Sequence, residues 1–245
     1  MPAVARILTL VGMVALLGVV SASPAGARFQ ESPTVDIHTQ AGLAPDGRSI
    51  NVNVLASCPE RWTVIEAVVR VSQPSGFGQA SFPLTCIKSV RSFWISVPAS
   101  SGSFQLGSAQ VTASVVIQRG KTARADDSQV VTVDPTVLVE LAESGLRVDG
   151  GQAVILDVTV ACPVGTTGRQ SGLVVSQSPV IIGRGTYTPI CNGSRHTFTV
   201  RVDKNTDSNP YQPGIAQALT FADVEYNGQV FSGIDDDGAL ELIEE

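Results

Sequence analysis

The chain repeats itself once, and the best-matched residues of the two copies are cysteines. Cys58-Pro59 returns as Cys162-Pro163, Val71-Ser72-Gln73 as Val175-Ser176-Gln177, and Cys86 as Cys191. Phe104-Gln105-Leu106-Gly107 returns as Tyr211-Gln212-Pro213-Gly214. Near the start, Pro33-Thr34-Val35 matches Pro135-Thr136-Val137, and Leu43, Asp46 and Gly47 match Leu146, Asp149 and Gly150. The unit is about a hundred residues, an ordinary domain size, so each copy is expected to bury its own core. Four cysteines allow three pairings; bonding Cys58 to Cys86 and Cys162 to Cys191 keeps each copy self-contained.

Ahead of the repeats, residues 1–27 read as a secretory signal. Arg6 is the charged start, Ile7 to Val20 the apolar stretch, and Ala25-Gly26-Ala27 the small residues that a signal peptidase reads. The apolar stretch is shorter than the roughly 20 residues a membrane helix needs, and Gly12 and Gly18 interrupt it. Cleavage after Ala27 leaves residues 28–133 as the first repeat and 134–245 as the second. The mature protein is expected to be secreted, extracellular, free of any membrane span, and monomeric. In an exported chain, paired cysteines point to structural disulfides. A net charge of −6 without a basic cluster excludes nucleic acid as a partner. The scarcity of lysine, only Lys88, Lys121 and Lys204, alongside abundant Ala, Val and Gly, suggests a GC-rich bacterial genome.

Apolar residues alternate at period two through most of each copy, and no stretch sustains a helical period. Ile50, Val52, Val54 and Ala56 lead to Cys58 on one face, as Val154, Leu156, Val158 and Val160 lead to Cys162. Phe82 and Leu84 lead to Cys86, as Tyr187 and Pro189 lead to Cys191, so all four sulfurs are expected to point inward, each bridge tying the end of the second strand to the end of the fourth. Ile65 to Val71 reads as a strand with Val64, Glu66 and Arg70 outward. In the next strand Phe93, Ile95 and Val97 face in and Trp94 out; Ala109 to Ile117 and Gln129 to Val133 follow. From Ala216 to Tyr226 the parity is inconsistent, since Leu219 and Phe221 oppose Val224 and Tyr226, and a bulge would reconcile them. About seven strands per copy, separated by turns such as Pro45-Asp46-Gly47, predict an all-β chain of two tandem immunoglobulin-like sandwiches, one disulfide in each. A jelly roll or small barrel is the alternative. The tryptophans depart from the antibody pattern: Trp62 follows Cys58 by four residues, and its counterpart is Thr166. The join at Val133-Asp134-Pro135-Thr136 has no flexible spacer, so the copies are expected to sit end to end.

The run Cys58-Pro59-Glu60, Val71-Ser72-Gln73, Phe82-Pro83-Leu84-Thr85-Cys86 and Phe104-Gln105-Leu106-Gly107 resembles exported β-domain proteins of actinobacteria, over both repeats. Pro33-Thr34-Val35 with Leu43 and Asp46-Gly47 is similar to the first hairpin of the neocarzinostatin-like antibiotic carriers. That resemblance implies a secreted sandwich and, by analogy of fold, ligand carriage. The carriers have two disulfides in one domain, whereas each copy here has two cysteines in all.

No residue set points to catalysis or a cofactor. His38 and His196 occupy unmatched positions, and no local nucleophile signature accompanies them. His38 reads as a residue of the first strand and His196 as one at the start of the fifth. Asp235-Asp236-Asp237, echoed by Asp126-Asp127, could offer oxygen ligands to calcium, but its spacing is not that of a calcium loop, and it reads as a solvated turn or edge. Asn192-Gly193-Ser194 reads as a turn, and Trp62 as packing beside the disulfide. Trp94 is the candidate partner-binding residue: an outward aromatic on a β-face can stack on sugars or anchor a protein contact. Its counterpart is Thr199. The sequence therefore predicts a non-enzymatic interaction or structural protein with a protein or glycan partner, the alternative being a small-molecule carrier that uses a sandwich cleft.

Overall fold

The computed structural model describes residues 32–177 and 181–244, apart from the side chain of Asp237; the expected signal segment, 1–27, lies outside them. Among the described residues the regular elements are all strands save one 3-10 turn, Asp149–Gly151. The first repeat forms β1 (Thr34–Leu43), β2 (Ser49–Ser57), β3 (Thr63–Gln73), β4 (Gly76–Ser81), β5 (Arg91–Gly102), β6 (Gly107–Arg119) and β7 (Lys121–Pro135). They pair in the order β1-β2-β5-β4-β3-β6-β7, and the parallel pairing of β1 with β7 closes the barrel. Closure is confined to one end of each seam: β1 meets β7 only from Gln40 to Leu43, and β4 meets β5 only from Gly76 to Gly78. The interior is solid: Ile50, Val52, Val54, Val69, Val71, Val97, Val111, Val115 and Ile117 are fully buried, the inward half of the period-two pattern.

The second repeat follows the same plan. Its strands are β8 (Leu138–Leu141), β9 (Ser144–Val148), β10 (Ala153–Ala161), β11 (Thr167–Gly168), β12 (Ser171–Gln177), β13 (Ile181–Tyr187), β14 (Arg195–Lys204), β15 (Gly214–Tyr226) and β16 (Gln229–Glu244). β16 pairs with both β15 and β9, so this path also returns on itself. β8 and β9 together do the work of β1, whose own register breaks between Ile37 and Ala41. At that break the two repeats use one device. Asp127 Oδ2 accepts a hydrogen bond from the Ile37 amide at 2.8 Å, and Asp235 Oδ2 accepts one from the Leu141 amide at 2.8 Å. A carboxylate from the last strand thus satisfies an amide that the broken ladder leaves without a strand partner. The two repeats have separate apolar cores.

Cys58 bonds to Cys86 and Cys162 to Cys191, with Cα atoms 4.7 and 4.8 Å apart. Cys58 and Cys162 are buried and their partners half-buried. Each bridge leaves the end of the second strand, as read from sequence, but lands in the loop after the fourth. β4 stops at Ser81 and β13 at Tyr187. Phe82 and Leu84 still alternate inward beyond the ladder, yet Pro83 and Pro189 have no N–H to donate to a neighbouring strand.

Two parity assignments are corrected. Ile65 faces solvent and Val64 packs on the core, because an extra residue in β3 shifts the register between Val64 and Glu66. In β15, Ala216, Ala218, Thr220, Ala222 and Val224 keep unbroken inward parity, which turns Leu219 and Phe221 outward. A bulge is present, but the register shift opposite Ala218 and Thr220 places it in β16, between Asp235 and Gly238. The aspartate cluster is therefore part of a strand, with its first member holding β8.

Candidate functional site

Trp94 lies in β5 opposite Asn53 of β2, between the inward residues Phe93 and Ile95. Its outer face is open, and the residue is 73 % exposed. Beside it runs a groove of about 520 Å³ lined by Gln40, Ala41, Gly42, Asn51 and Thr136. Gly42 leaves room for the Thr136 side chain: a Cβ there would stand 2.6 Å from Thr136 Oγ1 and force that hydroxyl to turn away. The Thr136 amide donates to the Leu43 carbonyl and fixes the chain leaving β7 there. Asn53 and Ser92 tie their side chains to each other. Among the described residues, no side-chain hydrogen bond engages Gln40, Asn51 or Thr136.

The second repeat has no counterpart. Thr199 pairs with Asp157 in the register that pairs Trp94 with Asn53, and its hydroxyl donates to the Asp157 carboxylate at 2.8 Å. Arg201, next along that face, pairs with Asp149 and Asp203, which raises its pKa.

The other sequence features prove to be parts of the fold. Trp62 is half-buried against the core that contains the first disulfide. His38 is exposed on β1, while His196, in β14, meets the Asn192 side chain at 2.9 Å. Asn192 Oδ1 also accepts from the Ser194 amide, making the turn at Asn192-Gly193-Ser194. The repeated Val-Ser-Gln and aromatic-Gln motifs bind one another. Gln73 Nε2 donates to the Gln105 and Ser108 carbonyls while its Oε1 accepts from the Gln105 amide. Gln177 does the same with Gln212 and Ile215.

Perturbed titrating groups lie away from the groove. The hydrogen bond from Arg124 holds the Asp126 carboxyl low, and burial raises the Tyr187 and Tyr211 hydroxyls, Tyr211 to about 12. Among the described residues no group of three or more His, Cys, Asp or Glu side chains is placed to hold a metal, and no helix is long and apolar enough to cross a membrane. A second cavity, about 390 Å³, opens where Pro45, Asp46, Gly47 and Leu106 of the first repeat meet Pro163, Val164, Gly165 and Tyr226 of the second.

Sequence reading found Trp94 but not its neighbours. Gln40, Asn51 and Thr136 are far apart in the chain and are brought together by the β1–β2 and β1–β7 pairings.

No family model matches the chain, and no curated protein sequence matches it. Solved structures that align with the chain include a tetra-tandem repeat from the extending region of a large adhesion protein, at 16% identity over 84% of this chain and 48% of that one, TM-score 0.31. A DUF4785 family protein from Legionella pneumophila aligns at 13% identity over 83% of this chain and 55% of its own, TM-score 0.31. The partial N-terminal region of the enterococcal surface protein aligns at 8% identity over 83% and 93%, TM-score 0.23. The chain spans about half the length of the first two.

Proposed function

We propose that the chain is an exported, non-enzymatic binding protein of the cell envelope or extracellular space, built of two immunoglobulin-like β-repeats, and that the first repeat carries the binding face. The observation that carries this reading is Trp94, left 73 % exposed beside an open groove. An indole in water forfeits apolar burial of the kind that drives association. The ring interiors are filled by side chains, which weighs against a ligand held inside a barrel. Two disulfides suit an oxidising compartment. The test is retention of the mature chain on envelope preparations of the producing organism. Trp94→Ala is expected to lose retention while keeping its urea midpoint; unchanged retention would remove Trp94 as the site.

The cavity at the junction of the repeats supports a second reading, a carrier of small molecules, because a pocket of about 390 Å³ formed by loops is of ligand size. Val164→Glu, and not Trp94→Ala, would then abolish binding.

A further inference from the structure

We infer that the groove beside Trp94 binds a neutral glycan, with a pyranose ring stacked on the indole; the inference rests on the reading of Trp94 as the binding face. Three observations converge on that chemistry. The indole face is open, and its negative quadrupole attracts the slightly positive C–H bonds on the face of a sugar ring. The polar residues lining the groove, Gln40, Asn51 and Thr136, carry no charge. Their side chains also have no hydrogen-bond partner among the described residues. A carboxamide both donates and accepts, as does a hydroxyl, so the three match sugar hydroxyls, which do the same.

Other occupants fit less well. An anionic ligand would call for arginine or lysine along the groove, and a cationic one for carboxylates; the lining has neither. A purely apolar protein surface would bury the two amides and the threonine hydroxyl without partners, at a desolvation cost. A sugar is apolar on its faces and polar at its rim, and the groove has the same division between the Trp94 indole and the amide side chains. In the second repeat Thr199, bonded to Asp157, stands where Trp94 does, and Ile155 stands where Asn51 does, opposite the ion-paired Arg201. The site therefore belongs to the first repeat alone.

Affinity electrophoresis of the mature chain tests this, in native gels containing a soluble neutral β-glucan, α-glucan, mannan or galactomannan. Heparin and polygalacturonate gels serve as the anionic comparison. Expected is retardation in at least one neutral gel, insensitive to added salt because no ion pair forms. Trp94→Ala should weaken that binding by about 30-fold, and Asn51→Ala by about 3- to 10-fold, with urea midpoints unchanged. No retardation in any neutral gel, or retardation only in the anionic gels, overturns the glycan assignment. If Trp94→Ala still loses envelope retention in that case, the binding face stands and only its occupant is wrong. If both retention and glycan binding survive Trp94→Ala, both readings fail.

Discussion

Gln177 is nearly buried, and its single carboxamide holds the chain that enters β15 by bonding to the Gln212 carbonyl, the Gln212 amide and the Ile215 carbonyl. Gln73 makes the equivalent three bonds ahead of β6, but closer to solvent. Water can replace lost partners only where it reaches them, so the same substitution should cost different amounts. Gln177→Ala is expected to destabilise by about 1 to 3 kcal/mol, the range for leaving buried polar groups unsatisfied, and Gln73→Ala by less. Urea denaturation of each variant measures the difference, and equal losses would contradict the account. Gly107 and Gly214, which end the two pinned segments, share a positive φ of 116° and 117°. The motif therefore specifies a backbone path.

The disulfides act on elements, since each fastens a segment that has left its sheet. Lys88 and Gly193 donate their amides to the Cys58 and Cys162 carbonyls, so the strand end and the returning loop are joined by one covalent and one hydrogen bond. Against a closed loop of 28 residues, the entropy removed from the unfolded chain corresponds to about 3.6 kcal/mol. Small domains are stable by only about 5 to 15 kcal/mol. Reduction is therefore expected to unfold each repeat or bring it close to unfolding, as read by circular dichroism with and without reductant. Peptide mapping of the unreduced protein should find only the two linkages within repeats.

Over the whole molecule, duplication predicts independent folding and unequal response to alkali. The cores are separate, and β7 runs to Pro135, whose partner in the ladder is Leu43. Residues 28–135 and 136–245 are expected to fold apart from one another under oxidising conditions; a disordered amide spectrum from either, with its disulfide intact, would refute this. The second repeat has Tyr187 and Tyr211 where the first has Phe82 and Phe104. Burial keeps Tyr211 protonated to about 12, against an ordinary value of 10.0. The unfolded chain releases that proton first, so the stability it contributes is complete below pH 10 and is lost as the pH rises toward 12. The urea midpoint of the second repeat should accordingly fall over that window, and Tyr211→Phe should flatten the fall. The first repeat has no such contribution.

The alternation of apolar residues and the duplicated cysteines determined the strand content, the two-repeat plan and the outward side of Trp94, because side-chain direction in a strand depends only on local parity. Parity is lost wherever an extra residue enters a ladder, and whether one enters is decided by the partner strand. That is why Ile65 was misread; Leu219 and Phe221 were misread for another reason, since the inward positions of β15 hold small or polar residues, Ala216, Ala218 and Thr220, and the larger apolar ones face out. Ring closure was equally beyond the sequence: the parallel pairing of β1 with β7 joins residues at opposite ends of the repeat. The groove depends on that closure, since it sets Thr136 over Gly42 beside Gln40 and Asn51. The sequence thus supplied the indole, and tertiary pairing supplied the neutral amides and hydroxyl around it.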